Sequence, residues 1–194
     1  MKRVLSITML FVLVPSFFML TIFKEEENLE EVSVEKPVIQ KEDVYIKVKQ
    51  LSKNKIITID IEDYVKGVVA GEMPLNFNPE ALKAQAVAAR TYALRRISDT
   101  NTYDVVDTVM NQVFIDNDTL KTKWGASYDY YMEKINNAVS STLGEYVDYK
   151  GTYADTLFFS TSTGFTENSE EIFGSKVSYL QSVNSYWDEE ESPV

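Results

Sequence analysis

Apolar residues first recur at a period of two. Val44, Ile46 and Val48 alternate with Tyr45, Lys47 and Lys49, and after Ser52-Lys53-Asn54-Lys55 the residues Ile57, Ile59 and Ile61 alternate again. Two such runs around a polar tetrapeptide predict a β-hairpin. At Asp60 the period lengthens. Ile61, Val65, Val68 and Val69 share one helical face, with Asp60 as N-cap and Gly71 as the expected stop. Asn78-Pro79 opens a second helix running to about Ile97, on which Leu82, Gln85, Ala86, Ala89, Tyr92, Ala93 and Arg96 share a face. Between the two helices, Gly71-Glu72-Met73-Pro74 forms a stiff elbow, because Pro74 fixes its own φ and pushes Met73 towards an extended conformation. Glu72 is therefore expected in a bend, held by the backbone.

Further along, Val105 to Ile115 reads as a β-rich segment broken by Met110-Asn111-Gln112, and Asp116-Asn117-Asp118 as a turn. That triplet lacks the glycine and the distant glutamate of a calcium loop. Tyr131, Ile135, Ala138, Val139 and Thr142 mark a third amphipathic helix from Tyr128, ending before Gly144. Tyr128, Tyr130 and Tyr131 read as core packing in preference to a platform for sugar rings. Glu145–Tyr149 and Tyr153–Phe159 read as strands joined at Lys150-Gly151, the second delivering the hydroxyl-rich loop Ser160-Thr161-Ser162-Thr163-Gly164. The fold class expected is α+β: one domain over 43–194, with β-hairpins packed on three helices.

The N-terminal pattern differs. Val4 to Phe23 are twenty residues without a charge, enough for a helix spanning roughly 30 Å, the thickness of a bilayer core. Lys2 and Arg3 precede them and Glu25, Glu26 and Glu27 follow, with no small-residue cleavage site. The expectation is an uncleaved single-pass anchor over 4–23, with residues 1–3 cytoplasmic and the domain extracytoplasmic. The acidic stretch 24–42 is expected to be a stalk.

Charge narrows the chemistry. With 19 basic and 30 acidic residues the formal net charge is −11, which argues against a nucleic-acid partner. There is no Cys and no His. Those absences exclude disulfides, a His-based triad, a Cys nucleophile and a His- or Cys-ligated zinc site, leaving carboxylates, hydroxyls and amides. No metal and no cofactor is expected. Gln85 within a stripe of small residues must find hydrogen-bond partners, and residue chemistry alone allows both a satisfied core amide and a functional one. For Arg90, on the flank of that stripe, it equally allows a solvated cation.

The string EDYVKGVVAGEMPLNFNPEALKAQAVAARTYAL resembles the signature of the stage II sporulation protein D family, which includes the amidase-enhancer (LytB-type) proteins. A second block, Phe158 to Val183, is similar to that family's Ser-Thr-Ser-Gly-Gly segment and its Tyr-Leu-x-Ser-Val close. The resemblance runs from about Val44 to the end. It implies a lytic transglycosylase in which Glu72, in the Gly-Glu-Met-Pro turn, is the catalytic acid acting on peptidoglycan during engulfment. It further implies substrate-binding or orienting roles for Gln85, Arg90, Gln112 (followed by Phe114), Ser160, Thr161, Ser162 and Tyr179. The partners implied are peptide-stripped glycan strands and stage II sporulation proteins P and M. A glycan-binding module without catalysis, or an enhancer of a partner amidase, is the competing reading.

Two departures matter. Phe159 stands where many relatives have His, and the Cys and His of some relatives' metal site are absent. Tyr179-Leu180-Gln181-Ser182-Val183 is normally followed by considerably more domain, so the chain is expected to be a fragment of a longer protein. Glu62 and Asp63 read as surface charges and poor candidates, so the single positioned carboxyl is the Glu72 that the resemblance implies. Hydrolytic glycosidases ordinarily use two.

Overall fold

A computed structural model describes residues 43–186 together with the short strand β1 (Val34–Glu35). The expected anchor over 4–23 and most of the expected stalk over 24–42 lie outside these residues. Among the described residues no helix is long and apolar enough to cross a membrane. The architecture is mixed α+β, with two small sheets and several helices.

The hairpin forms as its alternation requires. Strands β2 (Tyr45–Gln50) and β3 (Lys55–Asp60) pair antiparallel, with Val48 opposite Ile57. Ile46 and Val48 are fully buried while Tyr45 is exposed. The other edge of β2 takes β4 (Val105–Val106) in parallel, giving the order β3-β2-β4. Strands β1, β5 (Tyr146–Tyr149) and β6 (Thr152–Tyr153) make the second sheet, in the order β1-β5-β6. Val34–Glu35, inside the expected stalk, thus pairs with β5. At the β5–β6 turn Lys150 and Gly151 have φ of 54° and 79°, the left-handed pair a two-residue hairpin needs.

Helix α1 (Ile61–Glu72) starts where Asp60 accepts a hydrogen bond from the Glu62 amide at 2.8 Å. Helix α2 (Pro79–Leu94) starts in the same way, with Asn78 accepting from the Glu80 amide at 3.0 Å and proline in its first turn. Such caps are worth about 1 kcal/mol. Val65, Val68 and Val69 of α1 are fully buried, at about 1.5–3 kcal/mol each, so packing contributes more to this helix than capping does. The core they enter also takes Leu82, Ala86 and Ala89 of α2 and Ile135, Ala138 and Val139 of α4 (Tyr128–Ser141).

Four expectations are corrected. Gly71 does not stop α1, which continues through Glu72 to a C-cap at Met73. The expected strand over 105–115 reduces to Val105–Val106, because the Asn111 side chain takes the Val106 amide (2.8 Å) and the chain turns back at Thr108–Asn111. The strand expected over 153–159 ends at Tyr153, followed by one last bond from the Ala154 amide to the Val147 carbonyl of β5 at 3.0 Å. Beyond it the chain bends onto α2, where the Thr156 hydroxyl donates to the Ala88 carbonyl at 2.7 Å. Asp116-Asn117-Asp118 opens a helix, α3 (Asn117–Trp124), since the Asp116 carboxylate caps the Thr119 amide at 2.9 Å. A one-turn helix, α5 (Ser169–Phe173), has no counterpart among the expected elements.

Candidate functional site

Glu72 is the last residue of α1 and is half-buried. Its Oε1 accepts the Val113 backbone N–H at 2.6 Å, a short hydrogen bond. Its Oε2 has no hydrogen-bond partner among the described residues. The carboxyl is therefore oriented by one amide and keeps one oxygen free for proton exchange. Gly71 makes this possible. A Cβ there would lie 2.3 Å from the Val113 carbonyl oxygen, so only glycine lets the segment at Val113 approach close enough for its amide to reach Glu72. Gly67, one turn earlier, is crowded in the same way by Phe114 and Ile115.

Three consecutive residues of the crossing segment each hold a different partner. Asn111 Nδ2 donates to the Tyr92 hydroxyl at 3.0 Å, Gln112 Oε1 accepts from the Tyr64 hydroxyl at 3.0 Å, and Val113 N–H holds Glu72. Phe114, as expected beside Gln112, stacks on Tyr64 at 5.5 Å between ring centroids. Burial pushes the Tyr64 phenol well above its ordinary range. The Tyr92 phenol adds to that, Arg96 opposes it, and the Glu72 carboxylate adds to it again. Tyr64 therefore stays a proton donor to Gln112 at any working pH, and Glu72, Tyr64, Tyr92 and Arg96 share one electrostatic neighbourhood. The Arg96 guanidinium lies 3.2 Å above the Tyr92 ring, and its Nη2 is 3.5 Å from Asp155 Oδ1, a charge contact without hydrogen-bond alignment.

The other residues expected at a site divide. Gln112 is fully buried and faces Tyr64. Gln85 is 7% exposed, and its Nε2, like that of Gln112, is a buried donor without a hydrogen-bond partner. Arg90, which could have been a solvated cation, is 2% exposed. Its Nε and Nη2 grip Glu62 at 2.7 and 2.6 Å, and its Nη1 donates to the Glu145 carbonyl at 3.0 Å. Glu62 is correspondingly no surface charge: its side chain is 18% exposed and ties α1 to α2 through this bidentate pair. Arg90 thus orients neighbouring side chains and backbone, and its donors do not face outward.

The hydroxyl loop stands apart. Ser160 and Thr161 are exposed, and Ser162 bonds the Ser185 hydroxyl at 2.7 Å and the Gly164 amide at 3.2 Å. No hydrogen bond joins this loop to Glu72 or to the Asn111–Val113 segment among the described residues. Tyr179 accepts the Asp155 amide at 2.8 Å and packs on Tyr149 at 4.4 Å, fastening the segment that follows β6. Among the described residues no three His, Cys, Asp or Glu side chains converge as a metal site would require.

Tyr64, Tyr92, Asn111 and Val113 carry no mark of a site in the sequence. The available signal was Gly67 and Gly71 one turn apart on an otherwise valine-rich helix, a groove shaped for a crossing chain.

Comparison with known proteins adds to this geometry. A family model described as SpoIID, stage II sporulation protein, matches residues 49–149, a span that includes Glu72, Gln85, Arg90 and Gln112 and stops before the hydroxyl loop. Stage II sporulation protein D of Bacillus subtilis (strain 168) is 44% identical over 151 residues, covering 75% of this chain and 44% of that protein. Its counterpart from Bacillus amyloliquefaciens is 40% identical over 171 residues, covering 85% of this chain and 50% of that protein. An amidase enhancer of Bacillus subtilis (strain 168) is 38% identical over 116 residues, covering 60% of this chain and 14% of that protein. The chain spans about half the length of the curated sporulation relatives it matches.

Proposed function

This chain belongs to the SpoIID stage II sporulation protein family, and on that premise we propose that it is a peptidoglycan lytic transglycosylase with Glu72 as its only catalytic carboxyl. The observation that carries the reading is the Glu72 carboxyl fixed at the end of α1 by the Val113 amide, with Oε2 left free. In this scheme Glu72 gives its proton to the glycosidic oxygen between N-acetylmuramic acid and N-acetylglucosamine as the C1–O bond breaks. The carboxylate then takes the proton of the muramic C6 hydroxyl while O6 bonds to C1, leaving a 1,6-anhydro end. No water enters, so no second carboxylate is needed, unlike in hydrolysing glycosidases. Arg90 cannot be the donor, being charged at every working pH and bound to Glu62.

The wider setting is proposed on the same premise. The domain would act on peptide-stripped strands outside the membrane, held by the 4–23 segment, beside stage II sporulation proteins P and M.

Purified chain incubated with peptide-free glycan strands should release anhydro-muramic ends. Glu72→Gln should lower that release at least about 100-fold, since general acid catalysis contributes roughly 10²–10⁴. Cleavage undiminished in Glu72→Gln would refute the assignment. The likeness to an amidase enhancer favours a second reading, a module that stimulates a partner amidase without cutting glycan. That reading predicts no anhydro ends from either protein and faster amidase turnover when the chain is added.

A further inference from the structure

A second concave site lies beside the elbow. An open cleft of about 520 Å³ is walled by Trp124 of α3 and by Tyr130 and Tyr131 of α4, with Leu75 of the elbow among the apolar residues lining it. Its size falls within the usual range for small-ligand sites, roughly 300–1,000 Å³. Of the three tyrosines read as core, Tyr128 does pack against the core, but Tyr130 is 58% exposed and Tyr131, like Trp124, is half-buried. The rings tilt against one another, Trp124 to Tyr131 at 5.3 Å and 56° and Tyr130 to Tyr131 at 5.5 Å and 57°, forming a curved aromatic wall.

Charge is the second, independent feature. The chain has a formal net charge of −11, yet the charged residues lining this cleft are Lys123 and Lys134. Lys134 is held in place, its Nζ donating to the Leu75 carbonyl at 3.1 Å and lying 4.9 Å from the Tyr130 ring centre. Of its three donors, that carbonyl takes one. Aromatic faces suit the C–H face of a pyranose ring, and two ammonium groups suit a carboxylate at its edge.

We infer that this cleft is a saccharide-binding site selective for a hexose that carries a free carboxylate, such as the lactyl carboxylate of a muramic residue whose peptide is gone. The inference rests on reading the chain as a glycan-directed protein and assigns to the cleft the recognition of the stripped state. An amide-linked stem peptide removes the negative charge the lysines select, so discrimination against unstripped strands originates here. Met73 lines the cleft and follows Glu72 directly in the chain, so the cleft adjoins the end of α1 that carries Glu72, while Glu72 itself is not among the lining residues.

The test is calorimetric titration of the full chain with two probes, N-acetylglucosaminyl-N-acetylmuramic acid with its carboxylate free and neutral chitobiose. The muramyl disaccharide should bind more tightly, and raising the salt should narrow the gap. Tyr130→Ala should weaken binding roughly five- to tenfold. Lys123→Gln, on an exposed side chain, should weaken binding of the muramyl probe about two- to fivefold and leave chitobiose unchanged. Equal affinity for the two sugars, no binding of the muramyl probe, or binding indifferent to both substitutions overturns the inference. Glu72→Gln separates this from the catalytic reading. Lost cleavage with retained disaccharide binding supports both, intact cleavage with retained binding removes only the catalytic role, and cleavage without binding at this cleft removes only the cleft.

Discussion

Gly71 shows how much one residue's missing side chain decides. Its hydrogen leaves room for the Val113 carbonyl, and the amide of the same residue fixes the Glu72 carboxyl at 2.6 Å. Gly71→Ala would put a methyl 2.3 Å from a backbone oxygen, which cannot swing aside as a side chain could. We expect a loss of roughly 1–3 kcal/mol in urea denaturation, typical of overpacking, and a fall in glycan cleavage from displacement of Glu72. An unchanged unfolding midpoint together with unchanged cleavage would show that Val113 does not orient Glu72. Sequence alone read Gly71 as a helix stop, because a glycine near the end of an apolar stripe is commonly one. Its other use, close approach, depends on a chain segment about 40 residues later, which no local pattern reveals.

At the level of elements, α1 and α2 are joined by apolar packing and by Glu62–Arg90. Removing one partner of a buried pair leaves the other charge without compensation. Glu62→Gln should therefore destabilise by about 3 kcal/mol or more in chemical denaturation, and Arg90→Lys should fail to restore the bidentate geometry. A loss below about 1 kcal/mol would mean the pair behaves as an exposed one. Helix α3 offers a pH-dependent counterpart. Burial alone would raise the Asp116 carboxyl, but Lys53, the Thr119 amide, Gln50 and the Thr119 hydroxyl together hold it well below the usual carboxylate range. A carboxyl depressed on folding adds stability that is fully present above its unfolded value, about 3.9. That stability is lost as the pH falls from there towards the folded value. Asp116→Asn should thus cost about 1 kcal/mol or more at pH 7, and the gap to the unmodified protein in thermal melts should narrow only below about pH 4. A gap already closing near pH 6 would rule out Asp116 as its source.

Over the whole molecule, a net charge of −11 produces self-repulsion that local ion pairs offset only slightly. The exposed pairs Asp63–Lys66 and Glu80–Lys83 are each worth under about 1 kcal/mol, and salt weakens them. Raising ionic strength from about 0.01 to 0.15 M shortens the screening length from about 30 to 8 Å and damps the long-range repulsion. Melting temperature should rise, by about 2–4 °C for each kcal/mol relieved. A fall would mean that attractive pairs dominate. The sequence by itself determined the β2–β3 hairpin, both helix starts and the mixed α+β class. Those features rest on alternation, periodicity and capping side chains that act within a few residues of the chain. Tertiary structure alone decided that Glu62 pairs with Arg90, 28 positions away, and that Val113 holds Glu72, 41 positions away. It likewise decided that Tyr130 and Tyr131 of α4 open onto a cleft while Tyr128 packs against the core. Each of these contacts exists because packed helices and a crossing segment bring distant groups within hydrogen-bond or ring-contact range, and that range is set by the fold as a whole.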